Sequence, residues 1–146
     1  VEIHPVDFTN DPYLAGQNDR LVAINATLQI DLLGQCGSES LGPAPYSGTG
    51  GQVDFVRAAN RSRGGKAIIV LPSTAKDDSI SRIVPTLTPG THVSTGKNDI
   101  NYVVTEYGVA QLRGKSAKQR AQALIAIAHP AFRETLAAQA RQLHLL

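Results

Sequence analysis

The run Ala67-Ile68-Ile69-Val70-Leu71, closed by Pro72, restricts the fold more than any other feature of the chain. Its residues are apolar throughout and largely β-branched, so neither side of a strand built from them would be wet. Strands of this kind belong to sheets covered on both faces, usually parallel ones.

The neighbouring segments agree with such a sheet. Over residues 21–33, Val22, Ile24, Ala26, Leu28, Ile30 and Leu32 alternate with Ala23, Asn25, Thr27, Gln29 and Asp31. That period of two predicts one strand with one wet face. Further strands are expected over 81–87, where Pro85 marks an edge or a bend, and over 100–107, centred on Tyr102, Val103 and Val104. Residues 38–51 hold too many glycines and prolines for a regular element, and a short helix is expected over 52–60.

The last third is helical in pattern. Ser116 with Gln119 three residues on is a capping box, and Pro130 suits the first turn of a second helix carrying Phe132, Leu136, Ala140 and Leu143 on one face. Strands mixed with helices predict an α/β fold, a mainly parallel sheet flanked by helices.

Composition closes off several function classes. The chain has 146 residues, enough for one domain with a real core, and 42% of them are hydrophobic. A net charge of +2 and 5% aromatics, with no Trp, give no basic stripe and no base-stacking platform, so nucleic acid is not an expected partner. No apolar run approaches the roughly 20 residues that span a bilayer, so no membrane partner is expected either. A cytoplasmic location fits the single cysteine, Cys36, which has no base beside it in sequence and reads as an inert loop residue. His4, His92, His129 and His144 show no metal-ligand spacing, and no metal is expected. His129, just before Pro130, reads as a capping or packing residue. The chain opens with Val1 and contains no Met, so a piece of a longer polypeptide is expected.

The segment Tyr46-Ser47-Gly48-Thr49-Gly50-Gly51-Gln52-Val53-Asp54-Phe55 carries the chemistry. Its glycines let backbone approach a ligand closely, and a helix starting just after them turns N–H groups toward an anion. Spacing alone also permits a tight structural turn, since neither a Walker loop nor a full dinucleotide fingerprint is present.

Residues 47–55 resemble the GIGGQVDF signature of the acetyl-CoA hydrolase/transferase family. Blocks in the family's order extend the resemblance over nearly the whole chain: Asn10-Asp11-Pro12, Leu71-Pro72-Ser73-Thr74-Ala75, Ser81-Arg82-Ile83-Val84-Pro85, Thr105-Glu106-Tyr107-Gly108 and Ala128-His129-Pro130-Ala131-Phe132.

The resemblance implies a C-terminal domain over 1–146, with an N-terminal domain and its catalytic glutamate outside the chain. It implies transfer of coenzyme A between an acyl-CoA and a carboxylate, of the acetate or 4-hydroxybutyrate type, through a glutamyl-CoA thioester. CoA is then a cosubstrate, and no tightly bound cofactor is expected. Hydrolysis is the alternate reaction, and a noncatalytic CoA- or nucleotide-binding module is the rival reading. The expected partners are an acyl-CoA, a small carboxylate, the N-terminal domain and further copies of the same chain.

By motif, Asn10 and Gly51 correspond to the oxyanion donors, and Leu28, Ser47, Gly51 and Lys76 to positions that contact CoA. Asn10 could instead form an Asx turn before Pro12, and Lys76 could be a solvated lysine beside Asp77 and Asp78. Ser47 replaces an asparagine of the acetate branch, which favours the 4-hydroxybutyrate-like branch. Glu106 is expected to be a hydrogen-bonded structural carboxylate, and Glu39 a solvated one.

Overall fold

A computed structural model describes residues 1–146. The main sheet has four strands: β1 (Val22–Ala26), β6 (Lys66–Val70), β10 (Tyr102–Thr105) and β11 (Gly108–Gln111), in the order β1-β6-β10-β11. The first three run parallel and the last is antiparallel, so the sheet is mixed with a parallel core. A second sheet joins β2 (Gln29–Asp31), β3 (Cys36–Gly37) and β9 (Ile83–Val84) in the order β3-β2-β9. Two small hairpins complete the strands: β4 (Ser40–Leu41) with β5 (Ala44–Pro45), and β7 (Thr74–Ala75) with β8 (Ile80–Ser81).

Five helices accompany them. Two single turns, α1 (Val6–Thr9) and α2 (Pro12–Ala15), precede β1, α3 (Gln52–Arg61) leads into β6, and α4 (Ala117–Ala126) and α5 (Pro130–Gln142) close the chain. The capping box forms in full at α4, with both Ser116 and Gln119 bonded to the opposite backbone N–H. At α5, Pro130 occupies the first turn and the His129 ring accepts the Ala131 N–H at 3.3 Å. The same ring sits edge-on to Tyr107 and Phe132, so His129 caps and packs as expected.

Two strand expectations are corrected, and one strand lies outside them. Residues 21–33 are not one strand: the chain leaves the main sheet after Ala26 and enters the second sheet at Gln29. The break is fixed by Thr27, whose hydroxyl reaches the carbonyls of Gln29 and Gly37 at 2.9 and 3.0 Å, a competition with ladder bonding that period-two patterning does not register. Residues 81–87 are split between two ladders: Ser81 ends β8 of the small hairpin, and Ile83–Val84 pairs with β2 in the second sheet, where Pro85 ends it. β11 was not foreseen, because its Gly108-Val109-Ala110-Gln111 has little strand propensity and depends on a two-residue turn at Glu106-Tyr107.

The core lies between the main sheet and the helices. Ala23, Ala67, Ile69, Val103 and Ala110 face Val56 and Ala59 of α3 and Ala121 and Leu124 of α4. Alanines on β1, β6 and α3 let helix and sheet approach closely, while each buried Ile or Leu contributes roughly 1.5–3 kcal/mol. In α5, Leu136 and Ala140 are buried as expected, whereas Leu143 is exposed because it forms the helix C-cap beyond the packed turns.

The helical side covers only one face of the sheet. Within β1, the buried residue is Ala23, and Val22 and Ile24 point to solvent, the reverse of the face the alternation predicts. The expectation that β6 is covered on both faces is likewise met on one face only, by Ala67 and Ile69.

Candidate active site

Two short connections bring Asn10 to Gly51. Asn10 caps the C-terminus of α1, its N–H bonded to Val6 O, and the next residue, Asp11, starts α2 by accepting the Tyr13 N–H at 2.7 Å. The Asx cap before Pro12 is therefore made by Asp11, and the Asn10 side chain is left for other partners. α2 packs on α3, with the Arg61 guanidinium over the Tyr13 ring at 5.3 Å. Ser62, at the end of α3, accepts the Leu21 N–H and donates to Asn18 O, tying the same helix to the entrance of β1. These contacts hold the α1–α2 corner over the first turn of α3.

Gly51 is the N-cap of α3, and no side chain caps that helix end. Its φ of −95° is open to any residue, so backbone freedom does not explain glycine here. Space does: a Cβ at Gly51 would lie 2.5 Å from Asn10 Nδ2 and 3.2 Å from Phe55 Cε2. Gly50, with φ +59°, supplies the left-handed turn that delivers the loop to the helix.

The Asn10 amide is oriented from both ends. Its Oδ1 accepts from Thr9 Oγ1 at 3.1 Å and its Nδ2 donates to Asp54 Oδ2 at 3.4 Å. Asp54 was missed by sequence reasoning, although it stands inside the glycine-loop block. An Asn amide and helix N-terminal N–H groups form a neutral donor set suited to a developing negative charge.

Leu28 and Lys76 meet elsewhere. Both line a cavity of about 270 Å³ with Ala75 and Arg82. Lys76 is exposed, in a turn where Lys76, Asp77 and Asp78 all have positive φ. Leu28 also borders a larger cavity of about 600 Å³ with Thr27, Tyr46, Pro72, Arg82 and Glu106. That cavity sits at the carboxyl ends of β1, β6 and β10, where open α/β sheets bind ligands. Ser47, next to Tyr46, is exposed; its hydroxyl donates to Gly48 O and its N–H to Glu39 O. The predicted residues thus form two groups, Asn10 with Gly51 and Leu28 with Lys76, with Ser47 on the loop between them.

The remaining carboxylates differ. Glu106 accepts from both the N–H and the hydroxyl of Ser73, as a structural carboxylate would. Partial burial works to raise its pKa, but the Ser73 hydrogen bonds, backbone N–H groups and nearby His129 outweigh it and hold Glu106 below the usual range. Glu39 is not solvated: its side chain is 13% exposed and pairs with His92 at 3.7 Å, because the loop carrying Tyr46 and Ser47 folds back onto its carbonyl. Cys36 lies fully buried in β3, not in a loop, and burial pushes its thiol up to about 12, which leaves no nucleophile. No group of His, Cys, Asp and Glu is arranged to hold a metal ion, and no helix is long and apolar enough to cross a membrane.

Relatives place this geometry in context. The chain is 62% identical over 144 residues to the succinyl-CoA:cyclohexane-1-carboxylate CoA transferase of Geobacter metallireducens, covering 99% of this chain and 33% of that protein. It is 56% identical over 136 residues to the 4-hydroxybutyrate coenzyme A transferase of Clostridium kluyveri, covering 93% of this chain and 32% of that protein. The crystal structure of RipA from Yersinia pestis superposes with a TM-score of 0.91 at 48% identity, covering 97% of this chain and 32% of RipA. The chain therefore spans about a third of the length of the relatives it matches. Residues 1–140 match the model described as the acetyl-CoA hydrolase/transferase C-terminal domain, and the chain belongs to the acetyl-CoA hydrolase/transferase family.

Proposed function

We propose that the chain is the part of a CoA-transferase that binds coenzyme A and stabilises the oxyanions of acyl transfer, while the nucleophilic glutamate belongs to an N-terminal domain. In this reading the glutamate carboxylate attacks the acyl-CoA carbonyl, and collapse of the tetrahedral oxyanion expels CoA thiolate and leaves an acyl-glutamyl anhydride. The thiolate then attacks the glutamyl carbonyl, releasing the acyl group as its carboxylate and forming the glutamyl-CoA thioester. An acceptor carboxylate reverses the sequence, or water hydrolyses the thioester.

Asn10 Nδ2 and the Gly51 N–H are assigned to the oxyanion. Leu28, Ser47, Gly51 and Lys76 are assigned to CoA, with Lys76 as a point charge for a phosphate. The observation that carries this reading is the close approach of the Asn10 amide to Gly51, where an added Cβ would lie 2.5 Å from Asn10 Nδ2. Two residues 41 positions apart in sequence are held in contact there, with the Asn10 amide also bonded to Asp54. A 4-hydroxybutyrate-type acid or another small carboxylate is the acceptor this reading favours. A cytoplasmic homo-oligomer is its setting.

The test is transferase turnover in the longer polypeptide and in residues 1–146 alone, with acetyl-CoA and butyrate or 4-hydroxybutyrate. The expected result is turnover in the first and none in the second. Asn10→Ala in the longer polypeptide should lower kcat by roughly a hundred- to a thousand-fold. Wild-type kcat in that variant would overturn the assignment.

A further inference from the structure

The hairpin of β7 and β8 is closed by a turn with an uncommon backbone. Lys76, Asp77 and Asp78 have φ of +50°, +50° and +62°, three consecutive left-handed residues with no glycine among them. The other left-handed residues that are not glycine, Arg20 and His144, stand singly. A four-residue hairpin loop ordinarily uses a right-handed type I turn, and a side chain held at positive φ crowds its own backbone. Aspartate tolerates that conformation better than most residues, but a run of three persists only where the surroundings impose it.

The surrounding contacts do so. The Lys76 carbonyl accepts both the N–H and the hydroxyl of Ser79, at 3.1 and 2.7 Å. Thr74, which is buried, donates its hydroxyl to Asp78 Oδ1. Arg82 donates Nε–H to the Thr74 carbonyl at 3.1 Å, which ties the hairpin to the wall of the 270 Å³ cavity. The N–H groups of Asp77 and Asp78 make no backbone hydrogen bond, so nothing but the turn's own shape depends on them.

The turn also sorts charge. Two cations, Lys76 and Arg82, line the cavity with Leu28, Leu41 and Ile80, whereas neither aspartate lines it, although both follow Lys76 directly in sequence. Carboxylates on the cavity side of Lys76 would cancel its attraction for an anion. Asp78 is instead turned back to Thr74.

We propose that the left-handed backbone of residues 76–78 is a positioning device: it sets the Lys76 side chain on the cavity wall beside Arg82 and keeps the two carboxylates off that wall. The proposal rests on the assignment of Lys76 to CoA made above, and adds the feature that makes this lysine effective toward a phosphate. The effect belongs to the backbone conformation, not to the side chains of residues 77 and 78.

The experiment compares Asp78→Gly with Asp78→Pro in the longer polypeptide. Both remove the carboxylate and its bond to Thr74, and neither breaks a backbone hydrogen bond. Glycine keeps positive φ without strain, whereas proline fixes φ at about −65° and drives the residue before it toward extended backbone. Asp78→Gly should hold the KM for acyl-CoA within about two-fold of the unsubstituted value, and Asp78→Pro should raise it about ten-fold with kcat nearly unchanged. Lys76→Met should raise KM at least as much, and adding Asp78→Pro to it should change KM no further, because the turn acts only through the lysine. Equal KM in the glycine and proline variants, or losses that multiply in the double variant, would overturn the proposal. If Asp78→Pro prevents folding, Asp78→Val, whose branched side chain resists positive φ, takes its place against glycine with the same two outcomes. An unchanged KM in Lys76→Met would refute the assignment of Lys76 to CoA and this proposal with it. A raised KM there beside a normal one in Asp78→Pro refutes the positioning alone.

Discussion

Asp54 holds the side chain of Asn10: Asn10 Nδ2 lies 3.4 Å from Asp54 Oδ2, while Thr9 Oγ1 binds the amide oxygen. One N–H of the amide is thereby used, and the other is the donor that the proposed function assigns to the oxyanion. Asp54 also sits in the first turn of α3, where a carboxylate adds about 0.3–1 kcal/mol through the helix dipole. That is too little to unfold the domain, so a positional effect can be measured apart from a structural one. In the longer polypeptide, Asp54→Ala should lower kcat by up to about a hundred-fold with KM for acyl-CoA nearly unchanged. Asp54→Asn, which keeps an acceptor oxygen, should recover most of it. Equal loss in both variants, tracking a fall in melting temperature, would leave Asp54 with only a structural part.

Gly51→Ala separates packing from backbone strain. The φ of −95° accommodates alanine, and the atom in the way is the end of the Asn10 side chain, which can swing aside. The variant should therefore keep its melting temperature within a few degrees and lose roughly a hundred- to a thousand-fold in kcat, the usual effect of displacing an oxyanion donor. Gly51→Val should do the same with some added instability from its branched side chain. Steady-state kinetics beside thermal denaturation decides it; unchanged kcat in Gly51→Ala would remove the close approach of Asn10 to Gly51 from the mechanism.

The legible parts of the fold were those with local causes. Ser116 and Gln119 meet within one turn, Pro130 fits the start of a helix by its own φ, and the glycine loop opens α3 where its composition stops. β11 and the break at Thr27 depend on contacts far along the chain, β11 on its pairing with β10 and Thr27 on Gly37. The face of β1 was misread for a similar reason: alternation reports which side is apolar, not which side the helices reach. At the site, the glycine block and Asn10 were visible as motifs, but their contact was not, since 41 residues separate them. Asp54 lies within the glycine-loop block, but its role is not legible there because its partner is Asn10, 44 residues away.

Ser116→Ala tests the best-formed helix start. The substitution leaves the Gln119 N–H without its side-chain acceptor, while the backbone N–H at position 116 can still donate to Gln119 Oε1, so one arm of the box is lost and the other kept. Loss of a serine N-cap typically costs about 1 kcal/mol, which for a domain of this size lowers the melting temperature by roughly 3 °C. Ser116→Asp, which preserves an acceptor and suits the helix N-terminus, should restore it. Calorimetry on all three proteins makes the comparison, and an unchanged midpoint for Ser116→Ala would show that α4 is held by packing alone.

Cys36 should make the protein sensitive to alkali. Burial is the main cause of its raised pKa, opposed by a hydrogen bond to Thr27 and assisted by the charge of Asp31, and the thiol moves from 9.0 to about 12. The unfolded chain therefore releases this proton at lower pH than the folded one. Its contribution to stability is complete below about pH 9 and is lost as the pH climbs toward about 12. Cys36→Ala removes this ionisation, although it also leaves a small void and lowers stability at neutral pH. Between pH 7 and 8.5 the melting temperatures of the two proteins should run parallel. Above pH 9 the unsubstituted protein should fall more steeply and the two curves converge. Parallel curves up to pH 11 would mean that the thiol ionises as easily in the folded protein as in the unfolded chain, and that Cys36 is open to solvent often enough to react.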